Sequence, residues 1–313
     1  MITGLYEQLR SALGQLPVVV VPCFNEEERL DVGRFASLVE SGQVRLLFVN
    51  DGSTDETLRV VTALAAGSDR VEILDLPTNM GKAEAVRRGL LHAIDSNAHV
   101  VGYYDADLAT PPEELLRLLA ILADNPHLSV VMGSRVALLG RSIDRSPARH
   151  YLGRVIASIA SFVLRVRVYD TQCGAKVMRV TPPVVEALRQ PFRSTWVFDV
   201  ELIGRLLRGS GSVAPLPPPA FEEVPLREWH DVPGSKVTFA GMAGALVDLA
   251  ALGVGLRPSR TDRSPREAAD GLLAPPEPPA SGQRPIPLAV ADQGAEAESM
   301  EASVALDVSP QET

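Results

Sequence analysis

Two aspartates separated by one residue, Asp105-Ala106-Asp107, follow the apolar run Val100 to Tyr104. In an extended segment, residues two apart project to the same side. Two carboxylates held side by side repel each other unless positive charge lies between them. A hard divalent cation with oxygen ligands meets that need, and Mg²⁺ keeps coordination positions for substrate phosphates. The plainer alternative is an acidic loop that caps the next helix. Three more polar clusters follow apolar runs. They are Pro22-Cys23-Phe24-Asn25-Glu26-Glu27, Asn50-Asp51-Gly52-Ser53 and Gly133-Ser134-Arg135. Asp, Gly and Ser populate turns for conformational reasons alone. Four such clusters after successive strands, where open α/β sheets bind ligands, point instead to one site. Lys82 stands just after Gly81 at a helix start, where it either meets an anion or lies in solvent.

The elements that must position these residues alternate. Apolar runs suited to buried strands occur at Val18 to Val21, Leu46 to Val49, Val71 to Leu74, Val100 to Tyr104 and Val130 to Met132. Between them lie helical patterns. Ser53 and Glu56 form a capping box ahead of Leu58, Val61 and Leu64. Ala83, Val86, Leu90 and Ile94 mark a second stripe. Pro112 opens a third helix with Glu113 and Glu114 in its first turn. This alternation predicts a mostly parallel α/β sheet. Further on, helices are predicted over His150 to Val168 and Trp196 to Leu207, with an edge strand at Phe221 to Leu226.

The chain has 313 residues, enough for a sizeable core, and 46% of them are hydrophobic. A net charge of -9 argues against generic nucleic-acid binding. From Arg257 onward there are 5 Arg, no Lys and 10 acidic residues, so the first 256 residues carry only -4. That last stretch, 257–313, is rich in Pro, Ala, Ser and Glu without an apolar period and reads as a disordered tail. Two cysteines, Cys23 and Cys173, form no disulfide framework and read as reduced cytosolic thiols. Met1 to Leu16 lacks the basic and apolar regions of a signal peptide. Phe239 to Leu256 is apolar but contains Asp248, and Met242, Leu246, Leu249 and Leu252 lie at helical spacing. An amphipathic helix packed on the body is expected there rather than a span.

Together these strings resemble the family 2 glycosyltransferases of the GT-A fold, and within them the polyprenyl-phosphate (dolichyl-phosphate) β-glucosyltransferase and mannosyltransferase branch. The matching segments are VPCFNEEERL (21–30), VNDGSTDET (49–57), NMGKAEAVRRGL (79–90), YDADLATPPEEL (104–115) and GSR (133–135), then YDTQCGAKVMR (169–179), WVFDVEL (196–202) and EVPLREWHDVPGSKV (223–237). DTQCG and FDVEL look more glucosyl-type than mannosyl-type. The resemblance implies a GT-A domain over 1–256, with a nucleotide-sugar half (1–135) and an acceptor half (136–256).

It also implies roles. Pro22, Phe24 and Glu26 would line the nucleoside pocket, and Asp51 would face base and ribose. Asp105 and Ala106 would contact the donor. Asp107, with Asp105, would hold Mg²⁺ or Mn²⁺ on the diphosphate, and Arg135 would offset phosphate charge. The expected reaction is inverting transfer of a sugar, led by glucose from UDP-glucose, to a polyprenyl phosphate. GDP-mannose as donor, a sugar hydroxyl as acceptor, or a non-catalytic nucleotide-sugar binder are the alternatives. A phosphate acceptor is already largely anionic near pH 7 and needs cations more than a base. Arg135, Arg149, Lys176 and Lys236 are candidates for that. A hydroxyl acceptor needs a general base, and Asp199 is the candidate, with orientation of a cation as its other reading. The resemblance implies that the region around Trp229, His230 and Asp231 folds over the donor; other members of the branch often place an arginine near the position of His230. The helix His150 to Val168 has a broad apolar face flanked by Arg149, Arg154, Arg165 and Arg167. Such a helix either lies at an anionic lipid interface or packs inside the acceptor half. The expected location is cytoplasmic, with peripheral contact at the membrane face.

A glycine-rich nucleotidyltransferase opening, a G-x-G-x-x-G turn and a P-loop are all absent where they would be needed: Pro22-Cys23-Phe24-Asn25 follows the first strand, and Leu76 stands where a P-loop glycine would precede Gly81.

Overall fold

The computed structural model describes residues 14–144, 147–232 and 248–249, with the side chains of 147–150 and 152 left aside. The expected tail at 257–313, Lys236 with its neighbours, and most of the Phe239 to Leu256 segment lie outside the described residues.

The first half is strand–helix alternation, as the apolar runs predict. β1 (Val18–Cys23), α1 (Val32–Glu40), β2 (Arg45–Asp51), α2 (Thr57–Ala66), β3 (Val71–Leu76), α3 (Lys82–Asp95), β4 (Val100–Tyr104), α4 (Pro112–Asp124) and β5 (Val130–Ser134) follow in order. Then come β6 (Ser142–Asp144), α5 (Pro147–Leu164), β7 (Ala175–Arg179), α6 (Pro182–Arg189), α7 (Phe198–Arg208), β8 (Phe221–Pro225) and β9 (Glu228–His230). The main sheet has seven strands in the order β3-β2-β1-β4-β7-β5-β8. β3, β2, β1 and β4 are parallel, and β8 runs parallel to β5 at the far edge. β7 enters between β4 and β5 antiparallel to both. β6 and β9 form a separate two-stranded ribbon.

Period-two alternation with both faces covered explains the continuous apolar runs. Val19 and Val21 join a core with Phe35, Leu118 and Leu122. Val18 and Val20 join the opposite core with Val86, Leu90, Val200 and Leu206. The one-faced helices follow from this: α3 and α7 cover one side, α1 and α4 the other.

Several expectations are corrected. The capping box does not form. α2 begins at Thr57, its N-cap Glu56 makes no side-chain cap bond, and the Ser53 hydroxyl accepts from the Asn25 N–H at 3.0 Å instead. A cross-loop bond thus wins over a local one. The helix expected from His150 runs from Pro147 to Leu164, so Arg165 and Arg167 lie beyond it, and Arg165 takes a positive φ of 59°. The helix at Trp196 starts at Phe198. Asp105 to Asp107 do not extend β4. They form a turn, with Leu108 at φ 54°. Pro112 does open α4, after Pro111. Of the expected C-terminal helix only Asp248 and Leu249 are described. Both dock on the body: the Ser194 hydroxyl donates to the Asp248 carboxylate at 2.6 Å, and Leu249 is buried.

Gly89 on α3 fixes how closely the helix meets the sheet. A Cβ there would lie 2.5 Å from Val20 Cγ1 and 2.8 Å from Val49 Cγ2. In an exposed helix Gly→Ala stabilises by ~1 kcal/mol. Here overpacking reverses the sign, and Gly89→Ala should lower stability by ~1–3 kcal/mol in urea unfolding. A stabilised variant would mean α3 is not seated as described.

Candidate active site

The end of β4 carries the chemistry. All five β4 residues are buried, and the turn after them delivers Asp105 and Asp107 to the surface. Each carboxylate has a cation. Lys82, the first residue of α3, places its ammonium 2.6 Å from Asp105 Oδ1. Arg29 donates to Asp107 Oδ2 at 2.8 Å and also pairs with Glu26 at 3.2 Å. Asp107 Oδ1 accepts from the Ala109 N–H at 3.1 Å. Burial, and then the charge of Asp105, push the Asp107 carboxyl up, against the pull of the Ala109 N–H, Arg29 and Lys82. Burial disfavours the Lys82 ammonium, but Asp105 first, then Asp199 and Asp107, hold it charged. The like-charge tension read from the spacing is therefore present, though in a turn rather than an extended segment.

Among the described residues no group of three or more His, Cys, Asp or Glu could hold an ion alone. Two partly exposed carboxylates supply hard oxygen donors that fit a Mg²⁺-like ion, which would take its remaining ligands from phosphate and water.

The neighbouring strand ends complete the rim. Asp51 ends β2 and accepts from the Met80 and Gly81 N–H groups at 2.7 and 2.8 Å, which shapes the entry to α3. Burial raises its pKa and those two bonds oppose the rise. Gly52 has φ 65°, and a Cβ there would meet the Asn79 nitrogen at 2.5 Å, so only glycine fits. The Glu26 N–H donates to Thr57 Oγ1 at 2.8 Å, tying the loop after β1 to α2. Pro22 near the end of β1 and Phe24 in that loop are half-buried, and Ala106 is buried.

β7 brings a second group of residues to the same edge. Asp170 grips Arg135 through two side-chain bonds, at 2.6 and 2.8 Å, and accepts from the Arg135 N–H at 3.1 Å. Asp170 more than offsets burial, which alone would lower the Arg135 pKa. Arg135 also lies over the Trp229 ring, 5.4 Å from its centre. Asp105 donates its N–H to the Gly174 carbonyl at 2.9 Å, and a Cβ on Gly174 would fall 2.0 Å from the Asp105 carboxylate. Gly174 is therefore the floor on which Asp105 rests.

One expected role changes. Lys176 is 1% exposed, 2.9 Å from Asp199 Oδ1, and donates to the Cys173 carbonyl at 2.7 Å. An ammonium enclosed in that way has no face for an acceptor phosphate. Asp199, 6% exposed, also accepts from the Tyr103 hydroxyl. Burial pushes the Asp199 carboxyl up and the Lys176 ammonium down. Asp199 is held between Lys176 and Tyr103, an arrangement of the kind its cation-orienting reading describes. Arg149 falls in α5, and Lys236 lies outside the described residues. Cys23 and Cys173 are both buried.

Sequence reasoning missed Arg29, Asp170 and Tyr103. Nothing local in their strings names their partners, which lie 78, 35 and 96 residues away.

The Glycosyl transferase family 2 model matches residues 18–182, the strands from β1 to β7. The chain is a family 2 glycosyltransferase. This transferase is 31% identical over 255 residues to the dolichyl-phosphate β-glucosyltransferase ALG5C of Trichomonas vaginalis, covering 76% of this chain and 71% of that protein. It is 32% identical to the human dolichyl-phosphate β-glucosyltransferase (70% and 68% covered). It is 29% identical to the polyprenol monophosphomannose synthase of Mycolicibacterium smegmatis (65% and 76%). Its fold matches glucosyl-3-phosphoglycerate synthase from Mycobacterium tuberculosis, crystallised with Mn²⁺, UDP and glucosyl-3-phosphoglycerate. The TM-score is 0.59 at 20% identity, with 83% of this chain and 86% of that chain covered. At that identity the likeness speaks for the GT-A fold alone.

The transferase's buried Lys176–Asp199 pair yields a pH prediction. In Lys176→Met, Asp199 keeps its burial and loses its adjacent cation, a change that costs ~3–5 kcal/mol when a buried partner is removed. A carboxyl whose folded pKa is raised binds a proton that the unfolded chain has released, so its contribution is lost as pH rises through the folded pKa. The variant's deficit against wild type in urea unfolding should thus be larger at pH 8.5 than at pH 5.5. An equal deficit at both would deny the buried charge.

Proposed function

We propose that this transferase moves glucose from UDP-glucose to a polyprenyl phosphate, with Asp107 and Asp105 holding Mg²⁺ or Mn²⁺ on the donor diphosphate. The observation that carries the reading is the paired, cation-flanked carboxylates at the end of β4, in a chain similar over three-quarters of its length to dolichyl-phosphate β-glucosyltransferases. The chemistry a bound ion supplies is screening of the donor phosphates and stabilisation of the departing nucleoside diphosphate.

The chain's own groups do the rest. Pro22, Phe24, Glu26 and Asp51 line the nucleoside side, and Ala106 lies under the donor. Arg135, held in one orientation by Asp170 and Trp229, is a fixed positive charge for a phosphate. Lys82 is a second, on a longer and more exposed stem. Attack on the face opposite the leaving diphosphate converts an α-linked donor into a β-linked product. An anionic phosphate acceptor needs no base. The enclosure of Asp199 by Tyr103 and Lys176 supports that acceptor over a sugar hydroxyl.

The acceptor's lipid character is supported by α5. Ala157, Ala160 and Leu164 bury one face of it, while Tyr151, Val155 and Phe162 stand 72%, 50% and 85% exposed at spacings of four and seven residues. That second apolar stripe suits an interfacial helix. None of the described helices is long and apolar enough to cross a membrane. We place the working enzyme at the cytoplasmic membrane face.

With UDP-glucose, Mn²⁺ and a polyprenyl phosphate, UDP release should require both metal and acceptor. Asp107→Ala should lower it by ~10²-fold or more. Undiminished turnover in that variant removes the assigned role, and tight donor binding without any turnover favours a non-catalytic binder. In a thermal-shift screen with Mn²⁺, UDP-glucose should raise Tm more than GDP-mannose; the reverse order would make this a mannosyl donor site. The protein should float with anionic liposomes at low salt, and Phe162→Asp should stay in the pellet fraction. Flotation unaffected by the substitution would clear α5 of membrane contact.

A further inference from the structure

The two cations at the aspartate pair are not equivalent. Arg29 is fixed: it spans Asp107 at 2.8 Å and Glu26 at 3.2 Å, and its side chain is only 18% exposed. Asp107, already tied to the Ala109 N–H, is thereby locked in orientation from both oxygens. Each carboxylate oxygen still has a lone pair to offer. Lys82 is different. Its side chain is 47% exposed, and among the described residues it pairs with Asp105 Oδ1 at 2.6 Å. It stands on a flexible stem at the first turn of α3, after Gly81, where backbone N–H groups face outward. Its ammonium holds one oxygen of a carboxylate that would help to hold a divalent ion.

We propose that Lys82 is an exchangeable counter-ion: it neutralises Asp105 while the donor is absent, and it moves to the donor's diphosphate as the divalent ion arrives. The inference rests on the metal reading given under Proposed function. Lys82 leaving Asp105 removes a positive charge from the ion's surroundings and adds one to the phosphates. Neither step alone is favourable: an ion entering first would meet the ammonium already paired with Asp105, and a diphosphate entering first would meet two carboxylates. Together the charges pair completely. Metal and donor therefore bind with positive coupling, and by linkage each tightens the other by the same factor. Arg29 stays in place throughout and is a positioning residue for Asp107.

Manganese binding to the whole protein, followed by the paramagnetic resonance of free Mn²⁺ with and without UDP, tests this without turnover. Wild type should bind Mn²⁺ weakly alone and much more tightly with UDP. Lys82→Met, and Lys82→Gln as a second neutral variant, should bind Mn²⁺ alone about tenfold more tightly at low salt, since a cation near the site is gone. Their tightening by UDP should shrink by a similar factor. Unchanged or weaker Mn²⁺ binding in both variants, with wild type still coupled to UDP, would overturn the exchange and leave the metal reading standing. No Mn²⁺ binding by wild type even with UDP would overturn both.

Discussion

Asp105 and Asp107 put two negative charges at the mouth of a strand whose five residues are all buried. Coulomb repulsion between like charges grows as the surroundings become less polar. The fold answers by surrounding the pair with positive groups drawn from distant parts of the chain: Arg29 from the loop after β1, Lys82 from the start of α3, Arg135 from the end of β5. Each is itself disciplined. Glu26 holds Arg29 and Asp170 holds Arg135. The Asp51 carboxylate shapes the turn that sets Lys82. The site is thus an alternation of charges in which every member's position depends on its neighbour.

β7 is the element that makes this arrangement three-dimensional. Pairing antiparallel to β4, it sets Lys176 opposite Tyr103 and Ala175 opposite Tyr104. The loop before it then reaches the mouth of β4, where Gly174 supports Asp105 and Asp170 clamps Arg135. The buried Lys176–Asp199 pair lies directly beneath, bonded to the Cys173 carbonyl. Removal of water from both ions is expensive, so this pair is better explained as fixing the loop's register than as net stabilisation.

The parts of the fold legible in the sequence were those with a local signal. The five apolar runs became β1 to β5, each within two residues at its end, because strands buried on both faces need an unbroken apolar sequence. Pro112 with Glu113 marked the start of α4. What stayed hidden depended on distance along the chain. AKVMR carries a lysine and an arginine and lacks the look of a central strand; Lys176 is tolerated there only because Asp199 arrives from α7. Ser53 has the spacing of a capping residue, but the Asn25 N–H claims it. At the site, Asp105, Asp107, Lys82 and Arg135 stood out by residue type and position. Arg29 did not, because its role comes from a carboxylate 78 residues further on. Lys176 looks from its sequence like a cation available to an acceptor phosphate, since nothing around it signals complete burial.

The insertion of β7 has a consequence for how the chain matures. β1 to β4 can assemble once the first hundred or so residues have left the ribosome, but the partner of β4's free edge comes about seventy residues later. At ~5–20 residues per second, that edge waits for several seconds. Unpaired apolar strand edges recruit one another. The interval between the emergence of Tyr104 and Ala175 is therefore when a nascent copy is most prone to aggregate, and slow or interrupted translation across it would lower the yield of folded enzyme.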